Sequence, residues 1–268
     1  MSTTGRIHKK NTVLSYLAMA KRLLRHFGDR DLHAITPEDI QGFLAQYTET
    51  STNHTKRARF SFINAFFNFV RDNIDHTVQN PCSSPSLRRQ FRPRTPRSWK
   101  AVEKDVVDEM VFKAPSERDR LMLELMARGG MRIGEVLKLT LADVDGKKLR
   151  LVAPKSGRPQ EHVYLPQKLA TRLGAYVMNK DLKQHDRLFP MSYAGARAVV
   201  VRASEMVGVY VRPHDLRRFA ATHASRAGVP IEIVSKVILR HSNLATTQIY
   251  LGKVSDDEAF KWVESLHG

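Results

Sequence analysis

Four short stretches in the second half of this 268-residue chain carry side chains able to bind anionic oxygen, move a proton or attack as a nucleophile. Gly130-Met131-Arg132-Ile133-Gly134-Glu135 sets an arginine three residues ahead of a glutamate, which alone reads as an ion pair on a helix's first turn. Lys155 lies in Pro154-Lys155-Ser156-Gly157, turn chemistry between two alternating segments. His214-Asp215-Leu216-Arg217-Arg218 follows Pro213, so a helix starting there puts His214 and Arg217 on nearly one face. His241 and Tyr250 flank a polar stretch at 242–247. Taken singly, each has an ordinary structural explanation: a basic helix surface, a capping histidine or a buried tyrosine hydroxyl.

The elements that must position these residues fall into two parts. Residues 12–27 place Val13, Leu17, Ala20, Leu24 and Phe27 at helical spacing, and Gly28 ends the run. Thr36-Pro37-Glu38-Asp39 combines an N-cap, a first-position proline and an acid at the third position, opening a helix through Tyr47. A third helix is expected over 53–74, with Phe60, Ile63, Phe66, Phe67 and Val70 on its apolar side and Lys56, Arg57 and Arg59 near its start. Residues 79–99 hold four prolines with Arg88, Arg89, Arg92, Arg94 and Arg97 and no acid, the composition of an extended basic linker. Beyond it, the sequence predicts a helix from Ser116 to the Gly129-Gly130 pair and a hairpin from the alternating segments 148–153 and 162–165. Further helices are expected at 167–178, 194–207, 213–227 and 230–239, and Ser255-Asp256-Asp257-Glu258 is a capping box for a last one. The fold class is therefore mainly α with a small antiparallel β-sheet. Its expected division is a helical domain at 1–80, a linker at 81–99 and a mixed α/β domain at 100–268.

Composition bounds the partner. Forty-four Lys and Arg against 27 Asp and Glu give a net charge of +17, and the hydrophobic fraction of 42% is that of a folded protein. The excess is spread along the chain, since both parts are strongly basic, and a polyanion is the expected partner. One cysteine, Cys82, excludes a disulfide framework and a cysteine-built zinc site. No apolar run is long enough to span a bilayer and no apolar signal core opens the chain, so a cytoplasmic protein with no membrane association is expected.

In register, Arg132, Lys155, His214, Arg217, His241 and Tyr250 resemble the tyrosine recombinase (phage integrase) family, of the two-domain Xer-like or simple integrase type. The motifs that carry the resemblance are 130–136, the hairpin lysine, 214–218 and Leu-Arg-His-Ser-Asn-Leu-Ala-Thr-Thr-Gln-Ile-Tyr at 239–250. It implies a core-binding domain and a catalytic domain closing as a clamp on duplex DNA. Tyr250 would attack the scissile phosphodiester and form a 3′-phosphotyrosyl link. Arg132, Arg217 and His241 would hold the non-bridging oxygens, His214 would assist loss of the phenol proton, and Lys155 would protonate the leaving 5′ oxygen. Glu135 is read as orienting Arg132 or His214. Lys56, Arg57, Arg59, the linker arginines and Arg240 are read as DNA contacts. Arg240 occupies the position before the histidine where the family usually has glycine.

The resemblance further implies no metal and no cofactor, an inverted-repeat core site, a tetramer on DNA passing through a Holliday junction, and a last helix that docks on a neighbouring protomer, with packing on its own domain as the alternative. A second recombinase or accessory factor would be compatible with it. The short stretch before Thr12 leads to the expectation of a simple recombinase acting on core sites alone. Two other readings compete. One is a type IB topoisomerase-like enzyme of similar chemistry. The other is a non-catalytic regulator using 228–250 as a helix-turn-helix.

Overall fold

The computed structural model describes residues 10–92, 101–152, 160–251, 260 and 263–264, with residues 10–11 and 249–251 as backbone. The chain divides into two compact units, Met1–Arg97 and Ser98–Gly268. Lys155, Arg94, Arg97 and the capping box at 255–258 lie outside the described residues.

The first unit is built on α1 (Lys10–Phe27), α2 (Pro37–Tyr47) and α3 (Asn53–Asn73). The Thr36 hydroxyl accepts from the Asp39 amide and the Asp39 carboxylate accepts from the Thr36 amide, so the reciprocal cap read from the sequence forms. Ile40 and Leu44 of α2 and Ile63, Phe67 and Val70 of α3 are buried together with Met19 and Leu23 of α1. The apolar face of α1 thus differs from expectation: Val13, Leu17 and Leu24 face outward, and Leu24 is 67% exposed.

The expected extended linker is also corrected. Residues 81–83 form a 3-10 turn and Pro85–Gln90 form α4. Both prolines occupy the start of a helical turn, where a missing N–H breaks no hydrogen bond. Asn80 caps the 3-10 turn by accepting from the Cys82 amide, while its own amide donates to Asn64 and Asn68. Cys82, Leu87 and Phe91 join the core, with Phe91 stacked 5.0 Å from Phe60. Three buried side chains at 82, 87 and 91 therefore outweigh the proline signal, and this segment belongs to the first unit.

The second unit has α6 (Glu117–Ala127) at its centre, buried from Leu121 to Ala127. Around it pack α5 (Lys104–Lys113), α8 (Gln167–Asn179), α9 (Tyr193–Glu205) and α10 (Pro213–Arg226), and the short α7 (Ile133–Val136) follows it. Ser116 caps α6 by accepting from the Asp119 amide. The expected hairpin is β2 (Lys148–Val152) antiparallel to β3 (Gln160–Tyr164), and a two-residue β1 (Val144–Asp145) adds a third strand. Leu149 pairs with Val163 and Leu151 with Glu161, and all four side chains are buried. Alternation thus carries a carboxylate, Glu161, into the inward row.

The helix expected at 230–239 is shorter and irregular. It is one turn, α11 (Ile231–Ile233), running into a π-helical turn over Val234–Ile238. The chain then turns through Arg240 at φ +53 and enters α12 (Leu244–Leu251), which carries Tyr250 and packs on α10. A single-turn π segment is often found where a chain re-aims side chains at a functional site.

Candidate active site

Three separated segments converge on Glu135. The loop after α6 turns at Gly130, φ +59, and delivers Arg132 to the start of α7. Glu135 Oε2 accepts from the Arg132 amide at 2.9 Å and Oε1 from Arg132 Nη1 at 2.6 Å. Arg240 Nη2 donates to the same Oε2 at 3.0 Å, and Arg217 Nη1 stands 4.0 Å from it. One carboxylate therefore faces three guanidinium groups. Burial works against its charge, but Arg240 and Arg132 overcome that and hold its pKa below the usual range.

Arg217 has no solvent exposure. Its two terminal nitrogens donate to the carbonyls of Gly130 and Leu239, which ties α10 to the Arg132 loop and to the end of the π turn. His214 lies one turn earlier on α10. Desolvation of its ring, then the Arg218 and Arg217 cations, lower its pKa to about 4. Arg132 contributes in the same direction, so His214 shares the field of both arginines.

His241 is buried, and burial followed by Arg217, Arg132, Arg240 and His214 lowers its pKa to about 4. Its Nδ1 is 2.9 Å from Thr247 Oγ1, and that hydroxyl donates to Ser235 Oγ at 2.8 Å. With the one hydroxyl proton directed at Ser235, Thr247 accepts from His241, so the neutral ring carries its proton on Nδ1. Thr247 stands one turn before Tyr250 on α12, so the same hydroxyl fixes the imidazole and anchors the helix that bears the phenol.

The structure thus brings Arg132, Glu135, Arg217, His214 and His241 together and seats Tyr250 on the adjoining α12. The expectation for Arg240 is corrected. Its side chain is 2% exposed, and its guanidinium is spent on Glu135 and on the Ile238, Gly130 and Gly129 carbonyls. A group enclosed in that way is committed inside the protein. Sequence reading missed Ser235 and Thr247, whose hydroxyls read as ordinary helix polarity. It also missed Glu161, although the alternation that buries Val163 and Leu165 puts position 161 on the same side.

In the first unit, Arg88, Arg89 and Arg92 are exposed on and after α4, and Lys56 of α3 is half-buried. Arg57 Nη1 donates to the Phe91 carbonyl at 3.2 Å, so this cation also ties α3 to the end of α4. Arg59 stands 5.7 Å from the centre of the Tyr47 ring, and Arg22 of α1, which sequence reading passed over, stands 4.5 Å from it. Arg22, Arg25, His26 and Tyr47 line an open cavity of about 320 Å³.

Comparison with known proteins agrees with this architecture. The family model described as "Phage integrase family" matches residues 100–255. A tyrosine recombinase of Pseudothermotoga lettingae is 28% identical over 274 residues, covering 96% of this chain and 92% of that protein. Tyrosine recombinase XerA of Thermococcus kodakarensis is 29% identical over 277 residues, again covering 96% and 92%. Among solved structures, the Tn1549 transposon integrase in complex with transposon right end DNA superimposes with a TM-score of 0.78 at 15% identity, covering 98% of this chain and 96% of that one. A lambda integrase dimer bound to a COC′ core site gives 0.74 at 18% identity, covering 94% and 95%.

Proposed function

This chain belongs to the phage integrase family, and from that premise we propose how its residues cut and rejoin DNA. It is a tyrosine-type site-specific DNA recombinase, breaking and rejoining strands. The observation that carries the residue assignments is the arrangement around Glu135: two arginines from separate elements, locked by one carboxylate and two carbonyls, beside two histidines held neutral.

Tyr250 is the nucleophile. A phenol with pKa about 10 is protonated at neutral pH and needs an acceptor for its proton. His214, neutral near pH 7, can take it. The phenolate oxygen bonds to phosphorus, the bond from phosphorus to the 5′ oxygen breaks, and Lys155 gives that oxygen its proton. Arg132 presents its donors to the non-bridging oxygens, Arg217 supports them with a charge fixed by the Gly130 and Leu239 carbonyls, and both stay charged throughout. His241 adds a third donor once the phosphate's charge draws a proton onto its ring, because anion binding reverses the field that keeps it neutral. A second strand's 5′ hydroxyl then attacks the phosphotyrosyl link by the reverse path. The phosphodiester energy is kept in the intermediate, so no nucleotide is consumed.

The first unit contributes Arg22, Lys56, Arg59, Arg88, Arg89 and Arg92 to duplex binding. The substrate is double-stranded DNA with an inverted-repeat core site. Four protomers pair two sites and pass through a Holliday junction, with the segment after Tyr250 docking on a neighbour. The location is cytoplasmic; no helix among the described residues is long and apolar enough to cross a membrane. The helix-turn-helix reading fits less well, because α12 is anchored through buried Thr247 to His241 and leaves Arg132 and Arg217 without a role.

The test is a covalent-adduct trap. Wild type and Tyr250→Phe are incubated with fragmented DNA of the source organism and denatured in detergent, and the protein-linked ends are sequenced. The expected result is adducts on 3′ ends with wild type alone, clustered at inverted-repeat sites. Scattered adducts would indicate a topoisomerase-like enzyme. Salt-sensitive binding without adducts would reduce the chain to a DNA-binding regulator.

A further inference from the structure

Arg240 takes a position with every mark of a glycine: a backbone at φ +53, a loop packed against another loop, and almost no room for solvent. The side chain is nonetheless long and charged, and both of its terminal nitrogens are engaged. Nη1 donates to the Ile238 carbonyl at 2.8 Å and lies 3.4 Å from that of Gly129. Nη2 donates to the Gly130 carbonyl at 3.1 Å and to Glu135 at 3.0 Å. Nε stands 3.7 Å from Glu161 Oε2. The guanidinium thus spans the π turn, the loop that delivers Arg132, the start of α7 and strand β3.

Glu161 is the second half of the arrangement. Its side chain is 3% exposed, and neither carboxylate oxygen has a hydrogen-bond partner. A charge in that state persists when an opposite charge is close, and Arg240 supplies it. Arg132, Arg217 and Arg240 face Glu135 and Arg240 alone also faces Glu161, so the cluster sets three cations against two anions. The cluster keeps one positive charge in excess before any phosphate arrives. Without Arg240 the balance would be even, with one carboxylate stranded against β3.

We propose that Arg240 is a positioning residue for strand cleavage: bracketed by Glu135 and Glu161, it fixes the Gly129–Met131 loop and so sets where Arg132 meets the scissile phosphate. This rests on the assignment of Arg132 as a phosphate ligand. Arg217 grips the Gly130 carbonyl from one side and Arg240 from the other, so the loop is held by two forks rather than by packing alone. Arginine suits the task because its planar fork serves several acceptors at once, which a lysine point charge does not.

The experiment uses the full-length protein and a nicked core-site duplex of the sequence recovered by adduct trapping. Single-turnover cleavage, duplex affinity and melting temperature are measured for wild type, Arg240→Lys, Arg240→Gly and Arg240→Gly/Glu161→Gln. The double variant removes the stranded carboxylate together with its partner, so it separates folding from positioning. It is expected to melt near wild type and to bind the duplex within about threefold, yet to cleave at least tenfold more slowly. Arg240→Lys is expected between it and wild type.

A pH profile adds a readout that a merely structural role would not move. The charged groups facing Glu135 are Arg132 on its own turn, Arg217 of α10 and Arg240. Losing Arg240 leaves burial less opposed, so the carboxyl pKa rises and the acid limb of cleavage moves to higher pH than in wild type, where His214 sets it. A double variant that cleaves at the wild-type rate with an unchanged profile overturns the proposal. Should the double variant fail to fold, Arg240→Lys decides: full cleavage overturns the proposal, and slowed cleavage with intact binding supports it. Arg132→Ala is the control for the premise. If it cleaves normally, the assignment of Arg132 fails; if it is inactive while the double variant is normal, the positioning role alone fails.

Discussion

Replacing Thr247 by valine removes one hydroxyl and nothing else of the side chain's shape. That hydroxyl is the acceptor for His241 Nδ1 and the donor to Ser235 Oγ, at 2.9 and 2.8 Å. All three residues are buried, with Thr247 at 0%, Ser235 at 1% and His241 at 6% exposure, so water does not substitute readily. A buried polar group deprived of its partner costs about 1–3 kcal/mol. The Ser235 hydroxyl can rotate towards another acceptor whereas the histidine N–H is fixed, which sets the total at about 2–3 kcal/mol. For a unit of this size each kcal/mol lowers the melting temperature by about 2–4 °C, so Thr247→Val is expected to melt about 4–12 °C lower. Activity falls further than stability. The imidazole loses the bond that fixes its tautomer, and α12 loses the anchor one turn before Tyr250. The assay is a thermal melt paired with covalent-adduct yield below the variant's melting temperature, with Thr247→Ser as the hydroxyl-retaining control. A valine variant that melts within 1–2 °C of wild type (about 0.5 kcal/mol) and forms adducts normally would refute the relay.

Two further outcomes follow from the geometry. His241 is buried and neutral, with a pKa lowered from 6.5 to about 4, so the folded state takes up fewer protons than the unfolded one over that interval. Its stabilising contribution is whole above pH 6.5 and is lost as pH falls towards 4, about 3 kcal/mol in all. Melts of wild type and His241→Asn between pH 7 and 4.5 should converge as the solution is acidified, and parallel curves would contradict the assignment. Gly130 and Gly28 both adopt φ +59, but a Cβ on Gly130 would lie 2.7 Å from the Ile238 carbonyl oxygen whereas one on Gly28 meets nothing within 4 Å. Gly28→Ala should cost about 1 kcal/mol from backbone conformation alone and Gly130→Ala about 3 kcal/mol or more, compared by denaturant titration. Equal costs would show that the Arg132 loop is not held against the π turn.

Much of this protein was legible in the sequence because its signals are local. The Thr36–Asp39 cap, the stop at Gly129-Gly130, the alternation at 148–153 and the His214–Arg217 spacing depend on residues within a turn or two of one another. The residues proposed as catalytic could be named for a related reason, since each sits in a short motif and their order resembles that of a known family. The errors share a cause as well. The prolines at 81 and 85 announced a linker, but whether a proline breaks a helix or begins one depends on whether the residues after it find a core, and Leu87 and Phe91 do. The spacing of Val13, Leu17 and Leu24 described an apolar face without saying that α1 would bury Met19 and Leu23 instead.

Arg240 marks the boundary most plainly. Its charge and length are sequence facts, and they pointed to DNA. Only the packing of the π turn against the Gly129–Gly130 loop and β3 brings Glu135 and Glu161, 105 and 79 residues away in the chain, to a guanidinium that can face both. Sequence determines which groups exist and which turns present them. Tertiary structure decides which charges lose their water, and a buried ion is governed by its neighbours far more strongly than a solvated one is.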